Sequence, residues 1–297
     1  MTDLRSRLYE AMLASLPAHH KVTELATFYE LIRDYPTRGG KLLRGQFVLL
    51  STLAHGGKVE DALPVAVAVE LFQNWVLIHD DIEDGSEERR GAPALHQNVG
   101  MPIALNTGDA LHVYMWQVLL GLNLDLKDAI QQEFLTMIHR TAEGQHLDLS
   151  WVENKRFDIS EQEYLTMVAL KTAYYTVICP LRLGALCSGV EPDERYEILG
   201  KSLGIGFQIR DDVLNLLPSK VYGKEFAGDL YEGKRTLILA RIFALVSTSE
   251  RNQLMSYLAK ERNEKTEKET EDILELITSS CLALILQQTT ISMISIL

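Results

Sequence analysis

Apolar residues recur every three or four positions along almost the whole chain, and no long stretch alternates with period two. That spacing lines one face of a helical turn, so it predicts an all-α protein. Breaks at Pro36–Gly40, Gly56–Gly57, Gly85–Gly100, residues 153–160, Val190–Asp193 and Pro218–Gly233 separate the periodic segments. Helices are expected near 42–55, 61–84, 103–122, 127–149, 161–188, 194–216, 235–246, 248–262 and 267–290. Several are longer than twenty residues and apolar on most faces, as helices inside a large bundle are. Pro180 falls within the 161–188 segment and predicts a kink there, because it lacks a backbone donor and crowds the preceding turn. With 297 residues, 46% of them hydrophobic, and no internal repeat or low-complexity linker, one domain over 1–297 is expected, with ample core.

Charge narrows the function. The formal net charge is -12 and no basic stripe offsets it, which argues against a nucleic-acid partner. Cys179, Cys187 and Cys281 are an odd set without CxxC spacing, which predicts neither a disulfide framework nor a zinc site and points to a reducing cytoplasm. The opening "MTDLRSRLYE" is not a signal peptide. From Leu276 to Leu297 no residue is charged, yet 9 of the 22 are Ser, Thr or Gln, so a packed tail is expected rather than membrane contact. The run "KERNEKTEKETED", residues 260–272, reads as a solvated helix junction.

Two acidic patches stand at the ends of apolar helices. In "IHDDIEDGSEERRG", with Asp80 at zero and about 100° per residue, Asp81 lies near 100° and Asp84 near 40°. Gln73 lies on the same face two turns earlier. In "FQIRDDVLN", Asp211, Asp212, Asn215 and Gln208 repeat that arrangement. Like charges so close repel, and the C-terminal end of a helix disfavours anions. A hard divalent cation resolves both conflicts, and Mg²⁺ is typically held by one or two carboxylates together with substrate phosphates. Basic groups alternate with the acidic rows. Lys41 and Arg44 share a face after Gly39–Gly40, where helix-start amides suit an anion. Arg89 and Arg90 follow the first row, Lys171 and Thr172 lie mid-helix, and Lys224 and Lys234 follow the second row. The set suggests two diphosphate sites, one held through metal and one through direct basic contacts.

Taken together, GGKxLR, DDIEDxxxxRRG, KT, FQIRDDVLN and GKEFxGDxxEGKRT closely resemble the trans-prenyl diphosphate synthases of the polyprenyl synthetase family, in family order from Gly39 to Thr236. The resemblance implies a bundle of mostly antiparallel helices around a central cavity, usually homodimeric. It implies that isopentenyl diphosphate condenses with an allylic diphosphate such as the dimethylallyl, geranyl or farnesyl ester, with Mg²⁺, three ions per site, as cofactor. Asp80, Asp84 and Asp211 would bind metal. Asp80, Asp81, Asp84, Asp211 and Lys171 would carry catalysis. Lys41, Arg44, Gln73 and Arg90 would bind isopentenyl diphosphate. Arg89, Lys171, Thr172, Gln208, Lys224 and Lys234 would hold the allylic diphosphate. The allylic bond would ionise, the isopentenyl double bond would attack, and the released diphosphate would take the proton. Trp75 and Val76, five and four residues before the first Asp, would form the cavity floor and limit the product to fifteen or twenty carbons, as in farnesyl and geranylgeranyl diphosphate synthases. A helical wheel, however, sets Val76 and Leu77 near the Asp80 face and Trp75 near 220°, at about 100° per residue.

The chain also departs from the family. Leu42 and Gly45 stand where relatives commonly have Arg and Pro, which suggests a looser anion loop, and the tail ends "MISIL" rather than in basic residues. Two other functions compete with the synthase reading. A terpene cyclase on the same bundle would not need Lys41, Arg44 and Arg90. A non-catalytic subunit would tend to have degraded acidic rows. Glu143 and His146 have di-iron spacing but no second copy, so packing is expected. His79 is expected to pack or hydrogen-bond away from Asp80, and Asp109 belongs either to the cavity mouth or to a polar helix start.

Overall fold

A computed structural model describes the backbone of residues 2–217 and 225–294 and the side chains of 4–217 and 225–280. The described residues form fourteen α-helices: α1 Thr2–Ala14, α2 Thr23–Thr37, α3 Leu43–Ala54, α4 Val59–Asp84, α5 Leu95–Val99, α6 Met101–Leu120, α7 Lys127–Glu153, α8 Glu161–Val168, α9 Cys179–Cys187, α10 Arg195–Asn215, α11 Gly228–Tyr231, α12 Leu237–Phe243, α13 Thr248–Leu258 and α14 Glu267–Ile294. A two-residue hairpin, β1 Glu88–Arg89 and β2 Ala92–Pro93, is the sheet among the described residues. The all-α expectation therefore holds. The helices α1, α2, α5 and α11 are additions to it.

α4 runs through the middle of the bundle. Val65 to Val69, Leu71 and Phe72 are buried on every side of it. It is long and apolar enough to cross a membrane by length and composition alone, but 67% of its most apolar window is buried against the other helices, as in a core helix. The main core collects Leu8, Ile32, Tyr35, Leu49, Leu111 and Phe134 from α1, α2, α3, α6 and α7 around it. A second cluster joins α11 to α14 through Leu239, Ile242, Leu254 and Ile273. Ser160 and Ser247 start α8 and α13 with reciprocal capping boxes to Glu163 and Glu250.

The segment expected as one helix over 161–188 departs from regular α geometry before its proline. Ala169–Ile178 is a π-helical run, and Pro180 sits in the first turn of α9. The Cys179 N–H just before it bonds five residues back, to the Tyr174 carbonyl, so the proline falls where the wide π turns give way to α geometry. Glycines let the π-helical run come close to its neighbours. A Cβ at Gly144 of α7 would lie 2.3 Å from the Lys171 nitrogen, and one at Gly204 of α10 would lie 2.4 Å from Ala173 Cα. Gly144→Ala is therefore expected to push Lys171 out of place. We expect a loss of about 1–3 kcal/mol in denaturant unfolding, together with lower turnover.

The 260–272 run is a junction, but not a wholly solvated one. Lys265 is buried and donates to the carbonyls of Leu230 (2.9 Å) and Tyr231 (2.7 Å) at the end of α11. Cys179 and Cys187 are buried free thiols. The side chains of Cys281 and of the rest of the uncharged tail after Ser280, and the whole of Lys224, lie outside the described residues.

Candidate active site

One cavity of about 690 Å³ opens between α3, α4, the hairpin, α7, α8, the π-helical run, α10 and the segment from Gly228 to Thr236. Both acidic rows reach it. Asp80 and Asp84 line one side, and Asp211, Asp212 and Asn215 line another.

The first row is set by how α4 stops. Gly85 takes φ +64° and returns its N–H to the Asp81 and Ile82 carbonyls, ending the helix just after Asp84. One turn separates Asp80 from Asp84, so both face the cavity. Asp81 is about 100° away around the helix and does not line it. Its carboxylate is fully buried and bonded to the Tyr35 hydroxyl and to Arg89 Nε at 2.8 Å. Asp81, grouped with its neighbours as a catalytic residue, thus stands behind the cavity wall and holds Arg89. The chain then turns back in the hairpin through Arg90 and Gly91, both at positive φ (56° and 74°), as a two-residue turn between antiparallel strands requires. That turn sends the two arginines in different directions. Arg89 Nη2 approaches Asp80 at 3.3 Å. Arg90 Nη1 bonds the Tyr35 carbonyl (2.6 Å) and Asn74 Oδ1 (3.0 Å).

In the second row Asp212 is buried and accepts from the Tyr164 hydroxyl at 2.6 Å and from Gln208 Nε2 at 2.8 Å. Burial pushes its carboxyl up to about 6, against the pull of those two bonds. Gln208 in turn accepts from the Thr172 hydroxyl at 2.8 Å. Asn215 is turned to the backbone, accepting from the Asp229 N–H at 3.0 Å.

A residue absent from the sequence expectations anchors the two lysines that face the first row. Asp148, on α7, is buried and accepts from Lys171 Nζ at 2.6 Å and Lys234 Nζ at 3.0 Å. Burial alone would raise its carboxyl, but the two ammonium groups hold it down to about 2. Lys171 also faces Asp80 at 3.5 Å, and Lys234 bonds Asp84 at 2.5 Å. Both lysines are held well above the ordinary value by these carboxylates, which outweigh burial. Asp84 is pushed up to about 6 by burial, with Lys234 opposing and Asp80 reinforcing the shift. Gln145, one turn before Asp148, bridges Asp80 (3.3 Å) and Glu83 (2.6 Å). A signal for this pair was present: Gln145 and Asp148 are three apart and so share a helical face. The pair weighed instead separates, with Glu143 on His139 at 3.2 Å at the surface and His146 on the cavity wall.

Lys41, Arg44, Gln73 and Arg90 meet at another part of the same wall. Arg44 Nη2 donates to the Thr176 hydroxyl at 2.9 Å and its guanidinium lies 4.3 Å from the Tyr175 ring centre. Gln73 Oε1 and Arg44 Nε are buried and have no hydrogen-bond partner among the described residues. The anion loop is not loosened at Gly45. Its N–H, which a proline would lack, donates to buried Glu70 at 2.7 Å, and a Cβ there would lie 2.5 Å from Leu8. One helix-start amide expected to serve a ligand is thus occupied by Glu70. Leu42 packs into the core.

The cavity's apolar walls include Phe72, Trp75, Val76, Leu77 and Ile138. The wheel's separation of Trp75 from the Asp80 face is resolved by α6. There the indole stacks on His112, with centroids 4.0 Å apart and planes 14° apart, while Trp75 itself lines the hollow. His112 accepts from Trp116 Nε1 at 2.8 Å and was not foreseen. Asp109 lies mid-α6, outside the cavity lining, and faces His79 at 3.6 Å.

Among the described residues no three acidic, histidine or cysteine side chains converge tightly enough to hold a metal by themselves. The donor set still fits magnesium, which takes oxygen ligands and completes its shell with water and phosphate. Among the described residues, every carboxylate expected to hold metal lines the same hollow as Lys41, Arg44, Arg89, Arg90, Lys171 and Lys234, cations expected to hold diphosphate. A metal diphosphate offers positive charge to the first set and negative charge to the second.

Comparison with known proteins agrees with this geometry. Residues 26–277 match the polyprenyl synthetase family model. The short chain isoprenyl diphosphate synthase of Methanothermobacter thermautotrophicus is 37% identical over 227 residues, 75% of this chain and 69% of that protein. The geranylgeranyl diphosphate synthase of Saccharolobus solfataricus is 34% identical over 259 residues, 85% of this chain and 76% of that one. The crystal structure of a geranylgeranyl pyrophosphate synthase from Corynebacterium glutamicum, complexed with isoprenyl diphosphate and magnesium, superposes with a TM-score of 0.83 at 26% identity, over 97% of this chain and 88% of that one. With a family match over most of its length and relatives above 30% identity, the chain belongs to the polyprenyl synthetase family and is a prenyltransferase.

Proposed function

We propose that the protein condenses isopentenyl diphosphate with an allylic diphosphate to give an all-trans product of fifteen or twenty carbons. The observation that carries this is the convergence of Asp80, Asp84 and Asp211 with Lys171, Lys234, Arg89 and Arg90 on one cavity with an apolar wall. Lys171, Lys234, Arg89, Thr172, Gln208 and Lys224 hold the allylic diphosphate. Lys41, Arg44, Gln73 and Arg90 hold isopentenyl diphosphate. Magnesium bound by Asp80, Asp84 and Asp211, three ions when the site is full, supplies Lewis-acid stabilisation of the departing diphosphate. Fixed ammonium and guanidinium groups add to that stabilisation without reorganising. Phe72, Trp75, Val76 and Leu77 keep water from the allylic cation. The proton lost after condensation goes to the released diphosphate.

The relatives named as geranylgeranyl and short-chain synthases support this reading over a cyclase or a non-catalytic subunit. A second copy is the partner that suits the protein: α6 exposes Met101, Ile103, Leu105, Val113 and Leu120, an apolar surface that a homodimer would cover. Free buried thiols suit the cytoplasm.

Incubating pure protein with both diphosphates and Mg²⁺ tests the proposal. An elongated prenyl diphosphate supports it; a cyclised hydrocarbon, or no product, overturns it. For chain length, Trp75→Ala removes the indole stacked on His112 and deepens the hollow. It is expected to add at least one five-carbon unit to the main product by chromatography. Unchanged length would place the floor elsewhere.

A further inference from the structure

The last turn of α2 carries none of the motifs, yet it grips both arginines of the hairpin. Tyr35 is completely buried. Its hydroxyl donates to Asp81 Oδ2 and accepts from the Leu95 N–H at 3.1 Å. Asp81 gives its other oxygen to Arg89 Nε at 2.8 Å, and Arg89 Nη2 reaches Asp80 on the cavity wall at 3.3 Å. The backbone carbonyl of the same tyrosine accepts from Arg90 Nη1 at 2.6 Å. Arg38 completes the grip. Its guanidinium lies 4.6 Å from the Tyr35 ring centre, Asp34 fixes its Nε at 2.6 Å, and its Nη1 donates to the Arg89 carbonyl at 2.9 Å.

One helical turn therefore holds Arg89 by side chain and backbone, and Arg90 by side chain. On the proposed function, those arginines belong to different diphosphate subsites. The geometry points to Tyr35, with Arg38, as a positioning residue that sets the Arg89–Arg90 pair and so fixes the distance between the two substrates. A bimolecular condensation depends steeply on that distance, because misplacement by about 1 Å can cost about 100-fold. The hydroxyl acts on the allylic side through Asp81 and Arg89. The carbonyl acts on the isopentenyl side through Arg90.

This inference rests on the proposed function, and the split between the two routes makes it testable. Tyr35→Phe deletes the hydroxyl while leaving the ring under Arg38 and the carbonyl for Arg90. It is expected to raise the KM for the allylic diphosphate about fivefold and lower kcat about tenfold, leaving the KM for isopentenyl diphosphate within about twofold, consistent with loss of one positioning contact. Arg38→Met, which frees the Arg89 carbonyl but removes no buried hydroxyl, is expected to shift the same two parameters in the same direction. A purely structural role would lower the melting temperature and the active fraction while leaving kcat and both KM values of the folded fraction unchanged, and that result overturns the assignment. Calorimetric titration with inorganic diphosphate and Mg²⁺ separates this failure from failure of the proposed function, since it needs no turnover. If wild type binds diphosphate and Tyr35→Phe binds it several-fold more weakly, the placement of Arg89 by Tyr35 stands, and absence of elongated product then counts against the proposed function alone. Equal binding by the two, or none by wild type, ends it.

Discussion

Asp84→Asn lowers kcat by about 1,000-fold or more, equivalent to about 4 kcal/mol of transition-state stabilisation. The variant keeps the size and nearly the shape of the side chain but loses the charge that faces Asp80 across one turn and Lys234 at 2.5 Å. A carboxylate that helps bind a divalent cation contributes to the charge stabilisation of the leaving diphosphate, an effect of several kcal/mol. Folding responds in a different way. Burial disfavours the charged form of Asp84 and pushes its carboxyl up to about 6, so its charge is no net support for the fold at neutral pH. Lys234 is not stranded, since Asp148 remains 3.0 Å away. The denaturant midpoint should therefore stay near that of wild type while turnover collapses, and Mg²⁺ titration should show weaker activation. Turnover within tenfold of wild type would remove Asp84 from the metal set.

The helices and both acidic rows were legible in the sequence because each is written locally. The 3.6-residue spacing marks α3, α4, α6, α7 and α10, and the aspartates of α4 and α10 end long apolar runs. What was illegible depends on pairing across elements. Asp81 and Asp80 are equivalent on paper. Only Tyr35 and Arg89, arriving from α2 and the hairpin, hold one of them behind the cavity wall. The π-helical run depends on Gly144 and Gly204, which belong to other helices and permit close approach of their backbones. Pro180 marked a disturbance correctly but not its form. Gly45 misled for a similar reason. A glycine in place of proline suggests slack, yet its free N–H finds Glu70, twenty-five residues away. Asp148 was overlooked because an isolated acidic residue on a helix has no meaning until Lys171 and Lys234 are seen to close on it.

Asp148→Asn is expected to have the largest effect on stability of the substitutions considered. Its carboxylate lies between two lysines that are themselves largely buried, with side chains 21% and 12% exposed for Lys171 and Lys234. Removing one partner of a buried pair typically costs about 3–5 kcal/mol, because the remaining charge is left without compensation. Here each lysine keeps a second carboxylate: Asp80 at 3.5 Å for Lys171 and Asp84 at 2.5 Å for Lys234. The loss should therefore fall at the low end of that range, about 3 kcal/mol by urea unfolding at pH 7. Activity should fall about 100-fold, because both ammonium groups lose the fixed position that their proposed role on the diphosphate requires. The pH dependence gives a separate check. In the folded protein Asp148 sits at about 2, below its ordinary 3.8, so its stabilising contribution is complete above the ordinary value and disappears as pH falls through about 2. Wild type should lose more stability than Asp148→Asn over that acid interval, and the two urea midpoints should draw together from pH 5 to pH 2. Midpoints that stay parallel would show that Asp148 is not the carboxylate holding the lysines, and would transfer that role to Asp80 and Asp84.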